Sequence, residues 1–262
     1  MRKLLAIMTC HKNYSKAHAQ RMTWAKDVVA RGYADVHFFL GRHPDPFIAD
    51  DASEVAPDTT WFRDVDDSYY GIPAKVQAMC SWAHRHGYDW LAKVDDDVYV
   101  VPERLPYVPF GCADYIGRFR SPYGKVYPVH FASGFTYWLS NHAMRIVAET
   151  PLNGDWMDER FVATALARRR IWGYNDPINY VVSGPYTSGK ELRGRPLGRG
   201  TFFCEYPHPD QMREMHETFR DAEPVFDHPG LRLQPMVEVT EEILRSAPGD
   251  KIPVHKVERY MR

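Results

Sequence analysis

The segment from Trp90 to Val101 contains three consecutive aspartates within an otherwise apolar, β-branched and aromatic run, Trp-Leu-Ala-Lys-Val-Asp-Asp-Asp-Val-Tyr-Val-Val. Branched and ring side chains fit a pleated surface, so this composition favours extended chain. The acidic site contains no Gly, Pro, Asn or Ser, and its flanks are typical of buried strand rather than of a turn. Because side chains alternate along a strand, we expect Asp95 and Asp97 to share one face at its end.

Adjacent carboxylates repel one another unless a cation or protons intervene. Carboxylate oxygens are hard ligands that suit Mg²⁺ or Mn²⁺, especially where a phosphate completes the coordination shell. The alternative interpretation is a solvated acidic turn between two strands, which is the usual structure of a short aspartate run. Because the flanks are typical of buried strand, we favour a metal site formed by Asp95, Asp96 and Asp97.

Length and charge narrow the classes of protein that are possible. A chain of 262 residues buries a substantial core. The formal net charge of −1 gives no overall field that would recruit nucleic acid or an anionic membrane. The start of the chain, from Met1 to His11, is similar to a short signal peptide, but its apolar run is brief and no small-residue cleavage site follows. We interpret it as a first strand.

Cysteine usage indicates the redox compartment. The four cysteines are scattered without the close pair typical of a zinc site, and no secretory signal is recognised. We therefore expect free thiols, no membrane segment and a cytoplasmic location. The residues concerned are Cys10, Cys80, Cys112 and Cys204.

Strand and helix patterns alternate through the first part of the chain. The sequence predicts strands at 3–9, at 36–41, around Trp61 and over the acidic run, with helices at 16–30, capped by Ser15, and from Ile72 to a stop at Gly87. This order predicts an α/β fold with a mixed, largely parallel sheet flanked by helices. Ligands of such sheets bind beyond the carboxyl ends of the strands, where the aspartates would lie.

The second part of the chain is less regular. The sequence predicts strands at 113–119, 125–128 and 131–140, a helix through 149 capped by Asn141, a helix from Asp155 or Met157 to the arginines at 168–170, and helices near 209–220 and 239–246. Asp158 and Glu159 at the start of the second of these helices suit the helix dipole, which is a purely structural reason for their presence.

Several short motifs follow one another at spacings that are hard to obtain by chance: Arg21–Trp24, Asp64–Lys75, Lys93–Val100, Tyr127–Ser140, Asp158–Ala163 and His208. In order and spacing they resemble the motifs of the inverting β-1,3-glycosyltransferase family, which includes Fringe and the β-1,3-galactosyl- and N-acetylglucosaminyltransferases. The resemblance covers roughly residues 4–210. It implies a GT-A (Rossmann-like) fold over a single domain, 1–262, with a nucleotide-binding half (1–101), an acceptor and catalytic half (102–220) and a C-terminal extension (221–262).

The resemblance also implies a nucleotide-sugar donor, expected to be a UDP-sugar. The implied cofactor is Mn²⁺ or Mg²⁺, which holds the diphosphate of the donor. By family position Asp97 is a direct metal ligand, and Asp95 and Asp96 hold metal or ribose. His208 is the further protein ligand; the alternative is an ordinary loop histidine between prolines. Lys75 is expected to pair with an acid of the metal site or with phosphate, or else to be an exposed helix lysine.

Thr9, Arg21 and Asp67 are expected to border the nucleotide, although each is equally compatible with a helix cap or a surface ion pair. An inverting transfer needs one general base, and Glu159 stands where the family has an aspartate. Asp158 and Asp155 are the alternatives for this base. Ser133, Gly134 and Trp138 are expected to line the donor or acceptor cleft.

The chain departs from the family pattern at Gly71, Pro73 and Ala163, and it shows no membrane anchor. We therefore expect a cytoplasmic bacterial or virus-encoded relative whose acceptor is a glycan, a small molecule or modified DNA. The basic, Gly-rich residues 188–199 are interpreted as a lid over the diphosphate, a site for an anionic acceptor such as DNA, or a disordered linker. Outside this family, the acidic cluster also fits a metal-dependent phosphodiesterase or nuclease, and the altered motif fits an inactive sugar-binding module.

Overall fold

The structure is a computed structural model that describes residues 1–45, 56–120, 130–171, 173–175, 180–181, 203–205, 209–219 and 233–234. In the first part of the chain, strands and helices alternate as predicted. The elements are β1 (Lys3–Met8), a 3₁₀ turn (His11–Asn13), α1 (Tyr14–Gln20), a π-helical turn (Arg21–Ala25), α2 (Lys26–Ala30), β2 (Asp35–Leu40), β3 (Thr59–Trp61), a 3₁₀ turn (Tyr69–Gly71), α3 (Ile72–Arg85), β4 (Trp90–Asp95) and β5 (Val98–Val100).

The second part adds further strands and helices. They are a 3₁₀ helix (Pro102–Tyr107), β6 (Tyr115–Arg120), β7 (Phe131–Ser140), α4 (Asn141–Glu149), α5 (Asp158–Ala167), β8 (Gly173–Asn175), β9 (Tyr180–Val181), β10 (Phe203–Glu205), α6 (Pro209–Phe219) and β11 (Leu233–Gln234). The strand predicted at 125–128, the basic residues 188–199 and the helix predicted at 239–246 lie outside the described residues.

The main sheet has the strand order β11-β8-β6-β7-β4-β1-β2-β3. The β4-β1-β2-β3 half is parallel throughout, and β6 pairs with β8 in parallel. Strand β7 runs antiparallel to both β4 and β6, and β11 runs antiparallel to β8. A smaller sheet contains β5, β10 and β9. The predicted fold class, an α/β fold with a mixed, largely parallel sheet between helices, is confirmed.

Alternation along the central strands creates two cores, one on each face of the main sheet. Along β4, Trp90, Ala92 and Val94 join the core that also contains Trp24 of the π-helical turn. Leu91 joins the opposite core, which contains residues of α3, α4 and α5. The period of two therefore determines which helices pack on each face of β4.

Helix starts differ from the sequence prediction by one or two residues. Ser15 lies inside α1 rather than capping it, because the 3₁₀ turn at His11–Asn13 starts the helix earlier. Ser140, rather than Asn141, caps α4, and its Oγ accepts a hydrogen bond of 3.1 Å from the Ala143 amide. The start and stop predicted for α3 are confirmed, with Pro73 in its first turn and a positive φ of 71° at Gly87 beyond its end.

Within the described ranges, none of the helices has both the length and the apolar character needed to span a bilayer. Cys10, Cys80 and Cys112 are free thiols.

Candidate active site

The acidic run lies at the carboxyl end of β4, where the strand stops at Asp95 and a turn containing Asp96 and Asp97 leads into β5. The expectation that Asp95 and Asp97 share one face is wrong, because the strand does not continue through the run. Asp95 follows Lys93 on the α5 side of the sheet, whereas Asp96 and Asp97 both lie beside Lys16 of α1. The flanks are nevertheless buried strand, as predicted.

Asp96 and Asp97 share one cation on the α1 side. Lys16 Nζ lies 3.3 Å from Asp97 Oδ2 and 3.8 Å from Asp96 Oδ1. The hydroxyl of Thr9, at the end of β1, donates a hydrogen bond of 2.8 Å to Asp96 Oδ2. Burial, reinforced by the charge of Asp97, raises the pKa of Asp96 to about 6.

Lys93 is the centre of the α5 side, although only 1% of its side chain is exposed. Its ammonium lies 2.6 Å from Asp95 Oδ1 and 3.4 Å from Asp158 Oδ2, and it also donates to the carbonyl oxygen of Gly134. Asp158 Oδ2 accepts a further hydrogen bond of 2.7 Å from the hydroxyl of Tyr137. Burial alone would lower the pKa of Lys93, but the carboxylates of Asp158 and Asp95 outweigh it and raise the pKa. Lys93 therefore joins the end of β4 to the first turn of α5.

Glu159, the candidate general base, lies against β7 at Gly134. A Cβ atom at Gly134 would stand 2.9 Å from Glu159 Oε2, closer than side chains tolerate, so the glycine makes room for this carboxylate. Burial and the neighbouring charge of Asp158 raise the pKa of Glu159 to about 8. A carboxylate with a pKa near the working pH is suited to accepting a proton.

The predicted nucleotide-binding residues Thr9, Asp67 and Lys75 form a separate, buried cluster. Lys75 Nζ lies 2.6 Å from Asp67 Oδ1 and donates to the Thr9 carbonyl oxygen at 2.8 Å. Asp67 also accepts hydrogen bonds from the amides of Gly41 (2.6 Å) and His11 (2.8 Å). Lys75 thus pairs with Asp67 and not with the acids of the expected metal site. The cluster fastens the ends of β1 and β2 to α3, and Thr9 Oγ1 connects it to Asp96.

Arg21 lies in a different environment from these residues. Its guanidinium makes two bonds to Asp58, of 2.8 and 3.1 Å, donates to Thr59 Oγ1 at 2.7 Å and stacks over the ring of Phe38. The structure therefore places Arg21 in the ion pair that the sequence left open as an alternative to a contact with nucleotide.

The residues of β7 that were predicted to line a cleft differ from one another in their surroundings. Gly134 lies at the candidate base, as described, and Ser133 is buried with 1% exposure. Trp138 is fully buried and packs edge-to-face on Phe110 at a centroid distance of 5.0 Å. The expectation that Trp138 lines a cleft is wrong, because its position in β7 points into the core that contains Trp24.

Asp155, the remaining alternative base, forms an ion pair of 3.2 Å with Arg160. His208 lies outside the described residues. Three residues before His208 in the sequence, Glu205 of β10 pairs with Val98, the residue directly after Asp97. On the chain after it, α6 packs on α1, and His216 Nδ1 lies 3.2 Å from the hydroxyl of Tyr99 in β5.

The acidic turn carries carboxylate oxygens, the ligand type that a hard divalent cation prefers. Burial raises the pKa of both Asp95 and Asp96, the like charge of Asp97 adds to this, and the charges of Lys93 on Asp95 and of Lys16 on Asp96 act against it. In the described part of the chain, no group of three or more His, Cys, Asp or Glu side chains could hold a metal ion. Magnesium-like ions commonly bind through one or two carboxylates, with substrate phosphates as further ligands. Metal binding by Asp95, Asp97 and His208 stays a prediction.

Sequence reasoning gave no role to Lys16, Lys93 as an ion-pair partner, or Tyr137. For Lys93 a signal was present: a lysine flanked by apolar residues in a strand predicted to be buried needs an anionic partner, and Asp95 stands two residues further on the same face. Lys16 and Tyr137 meet the acids only through the tertiary fold.

No protein-family model and no curated protein matches the sequence. Among solved structures, the chain is similar to a glycosyltransferase involved in the glycosylation of the major capsid of PBCV-1, with 15% identity, coverage of 83% of this chain and 100% of that chain, and a TM-score of 0.46. It is also similar to the galactosyltransferase LgtC in complex with donor and acceptor sugar analogs, with 8% identity, coverage of 84% and 97%, and a TM-score of 0.45.

Proposed function

We propose that this chain is a GT-A-type glycosyltransferase that moves a sugar from a nucleotide-sugar donor, a UDP-sugar, to an acceptor hydroxyl with inversion at the anomeric carbon. The observation that supports it most is the bridge made by Lys93, which holds Asp95 at 2.6 Å and Asp158 at 3.4 Å. This bridge brings the acidic strand end and the first turn of α5, which carries Glu159, into one constellation. The order of the sequence motifs gives independent support.

The donor would lie beyond the carboxyl ends of the parallel strands β1 and β4, where open α/β sheets bind their ligands. Thr9 and the acidic turn gather at this edge. A divalent ion held there by Asp95 and Asp97, with His208 as the further predicted ligand, would neutralise charge on the departing diphosphate. Lys16 places a cation of the protein itself beside one of these carboxylates, 3.3 Å from Asp97 Oδ2.

Glu159 would accept the proton of the acceptor hydroxyl. The hydroxyl oxygen forms a bond to the anomeric carbon, the bond from that carbon to the phosphate oxygen breaks, and its electron pair leaves with the nucleoside diphosphate. The proton ends on the carboxylate of Glu159, so atoms and charge balance. One displacement at carbon gives inverted stereochemistry.

Asp158 is better suited to positioning than to proton transfer. Its Oδ2 faces both the Tyr137 hydroxyl and the Lys93 ammonium, and its side chain is only 7% exposed. Its negative charge raises the pKa of Glu159, which favours Glu159 as the base. Burial of Asp158 leaves little room for an acceptor hydroxyl to approach.

The decisive experiment measures release of UDP from a panel of UDP-sugars with Mn²⁺ and saccharide acceptors. We expect turnover by the native protein and its loss in Asp97→Asn, with the fold retained by circular dichroism. Asp210→Asn is the matched control, since Asp210 is an exposed aspartate at the start of α6. Full activity of Asp97→Asn contradicts the proposal. Cleavage of a phosphodiester without any sugar donor, or binding of UDP and Mn²⁺ without turnover, also contradicts it.

A further inference from the structure

Two aromatic side chains, one of them three residues before the candidate base in the sequence, meet at the surface. Tyr69 and Trp156 have ring centroids 5.5 Å apart and planes inclined by 39°. Tyr69 is 38% exposed, its neighbour Tyr70 is 50% exposed, and Leu152 is 48% exposed. These large apolar and aromatic surfaces lie on two segments that are distant in sequence and that meet through this ring contact. We call Tyr69, Tyr70 and Trp156 the aromatic platform.

The platform is placed by the same elements that build the site. Trp156 precedes Glu159 by three residues, in the segment that leads into α5. Tyr69 follows Asp67 by two residues, in the 3₁₀ turn that leads into α3. Through the contacts of Asp67 and Lys75, the second segment is fastened to the ends of β1 and β2.

Both segments are held in shape by local bonds. The Asp155 carboxylate pairs with Arg160 at 3.2 Å and accepts from the Met157 amide at 3.3 Å, which fixes the backbone on either side of Trp156. In the other segment, Asp66 accepts from the Ser68 amide at 3.1 Å, and a Cβ at Gly71 would collide with the Asp66 carbonyl oxygen. The rings are therefore presented on preorganised backbone, which lowers the entropic cost of binding a ligand.

The chemistry of the platform fits a sugar ring. An aromatic face packs against the apolar C–H face of a pyranose, while the polar handle of a tryptophan or tyrosine binds a hydroxyl. Nε1 of Trp156 is buried and has no hydrogen-bond partner among the described residues. Since a buried donor without an acceptor is costly, a ligand hydroxyl that accepts from it would be favoured.

Charge next to the platform opposes an anionic ligand. Asp66, three residues before the 3₁₀ turn, and Asp155, directly before Trp156, both carry carboxylates, and the Asp155 carboxylate already pairs with the guanidinium of Arg160. A nucleic-acid phosphate approaching these rings would meet like charge. A neutral saccharide would not.

We propose that Tyr69, Tyr70 and Trp156 form the acceptor subsite and select a neutral saccharide, stacking its ring so that a hydroxyl faces Glu159. This inference rests on the proposed function and extends it to the class of acceptor. It favours a glycan over modified DNA.

Binding is tested separately from catalysis. Saturation-transfer NMR on the full chain uses methyl β-galactoside, methyl β-glucoside and methyl β-N-acetylglucosaminide as neutral probes and a thymidine dinucleotide as the anionic probe. We expect transfer to the ring protons of at least one glycoside, its loss in Trp156→Ala and Tyr69→Ala, and none to the dinucleotide. Trp82→Ala is the matched control, because Trp82 is a partly buried tryptophan in α3 that stacks on His37 and His86.

Kinetic measurements then distinguish loss of acceptor binding at the aromatic platform from a general loss of activity. In Trp156→Ala we expect the KM for the acceptor to rise at least about 10-fold, as for loss of a stacked ring and its hydrogen bond. The KM for the donor and the rate of donor hydrolysis without acceptor should stay unchanged. Trp156→Phe keeps a ring but not the N–H, so its acceptor KM should lie between that of the native protein and that of Trp156→Ala.

The outcomes distinguish the two proposals. If the native protein transfers sugar but the platform variants keep the native acceptor KM, the inference is wrong and the proposed function stands. If no UDP-sugar is turned over, the proposed function fails, while the NMR result still decides whether the rings bind a neutral sugar. Transfer of saturation to the dinucleotide and not to the glycosides overturns the neutral-saccharide assignment.

Discussion

The ammonium of Lys93, in the middle of the main sheet, lies 3.4 Å from the carboxylate of Asp158, in the first turn of a helix that follows much later in the chain. Both side chains are almost completely buried. A buried ion pair of this kind contributes little net stability when intact but is costly to break, because the remaining charge has no partner.

Lys93→Met should therefore lower both stability and activity. Removing one partner of a buried pair typically costs about 3–5 kcal/mol, and here Asp95 and Asp158 would both lose their cation. Urea unfolding at pH 7 measures this change in the free energy of unfolding. As a control, Arg213→Met removes an exposed pair with Asp210 and should cost less than about 1 kcal/mol. An equally small change in Lys93→Met would contradict the bridging role.

The pH dependence of turnover should report Glu159. Because burial and Asp158 raise its pKa to about 8 and the base must be deprotonated, kcat/KM should rise as the pH increases through about 8. Glu159→Gln should reduce kcat by about 10²–10⁴-fold, the usual contribution of a general base. A pH-rate profile measured in Mn²⁺ buffer tests this. If Glu159→Gln keeps native kcat while Asp158→Asn loses it, the base is Asp158.

Gly134→Ala should impair the base without unfolding the protein. The added methyl group would stand 2.9 Å from Glu159 Oε2, so the carboxylate must move. We expect kcat to fall at least about 10-fold, as for a misplaced catalytic group, while the KM for the donor changes little. In the control Gly32→Ala, the added methyl group meets nothing within 4 Å but lies on a residue with a positive φ of 65°, so stability falls and kcat stays native.

His37 should make the protein sensitive to acid. It stacks on Trp82 and lies 2.8 Å from Thr60 Oγ1, and burial lowers its pKa to about 4. The folded state therefore favours neutral His37, and stability present above pH ~6.5 is lost as the pH falls towards 4, because the unfolded chain binds the proton more readily. Replacing His37 with Gln should flatten this loss between pH 7 and 5 in urea unfolding. Replacing the exposed His18 with Gln should leave it unchanged.

Metal binding should be visible as ligand-linked stabilisation. A ligand that binds only the folded state raises the melting temperature, so Mn²⁺ with UDP should raise it more than either alone, and EDTA should reverse the shift. Asp97→Asn should abolish the joint effect, and Asp210→Asn should retain it. A native-sized shift in Asp97→Asn would remove this residue from the metal site.

The order of strands and helices was predictable because it depends on local patterns. The apolar runs of β1, β2 and β4, and Pro73 and Gly87 at the two ends of α3, are read from neighbouring residues alone. The location of the acidic run beyond the end of β4 followed from the same reasoning, since a parallel sheet presents its strand ends at one edge.

The arrangement within the site was not predictable in the same way. Asp97 lies in the turn before β5, and β5 pairs with β10, a strand far along the chain. The partners of the acids, Lys16 and Lys93, differ in this respect: the spacing of Lys93 and Asp95 is local, whereas Lys16 reaches Asp97 only after α1 packs on the sheet. Trp138 was misassigned because an aromatic residue in a strand gives no signal of which face is the core.

The pairing of β5 with β10 has a consequence for the newly made chain. As the polypeptide leaves the ribosome, β1 to β4 can already associate, but β5 obtains its antiparallel neighbour only when Phe203–Glu205 emerges. Tyr99 meets His216 later still. The strand directly after the acidic turn therefore gains this neighbour late: in a nascent chain that ends before β10, the contacts of Asp96 and Asp97 with Thr9 and Lys16 can form while β5 still lacks its antiparallel partner.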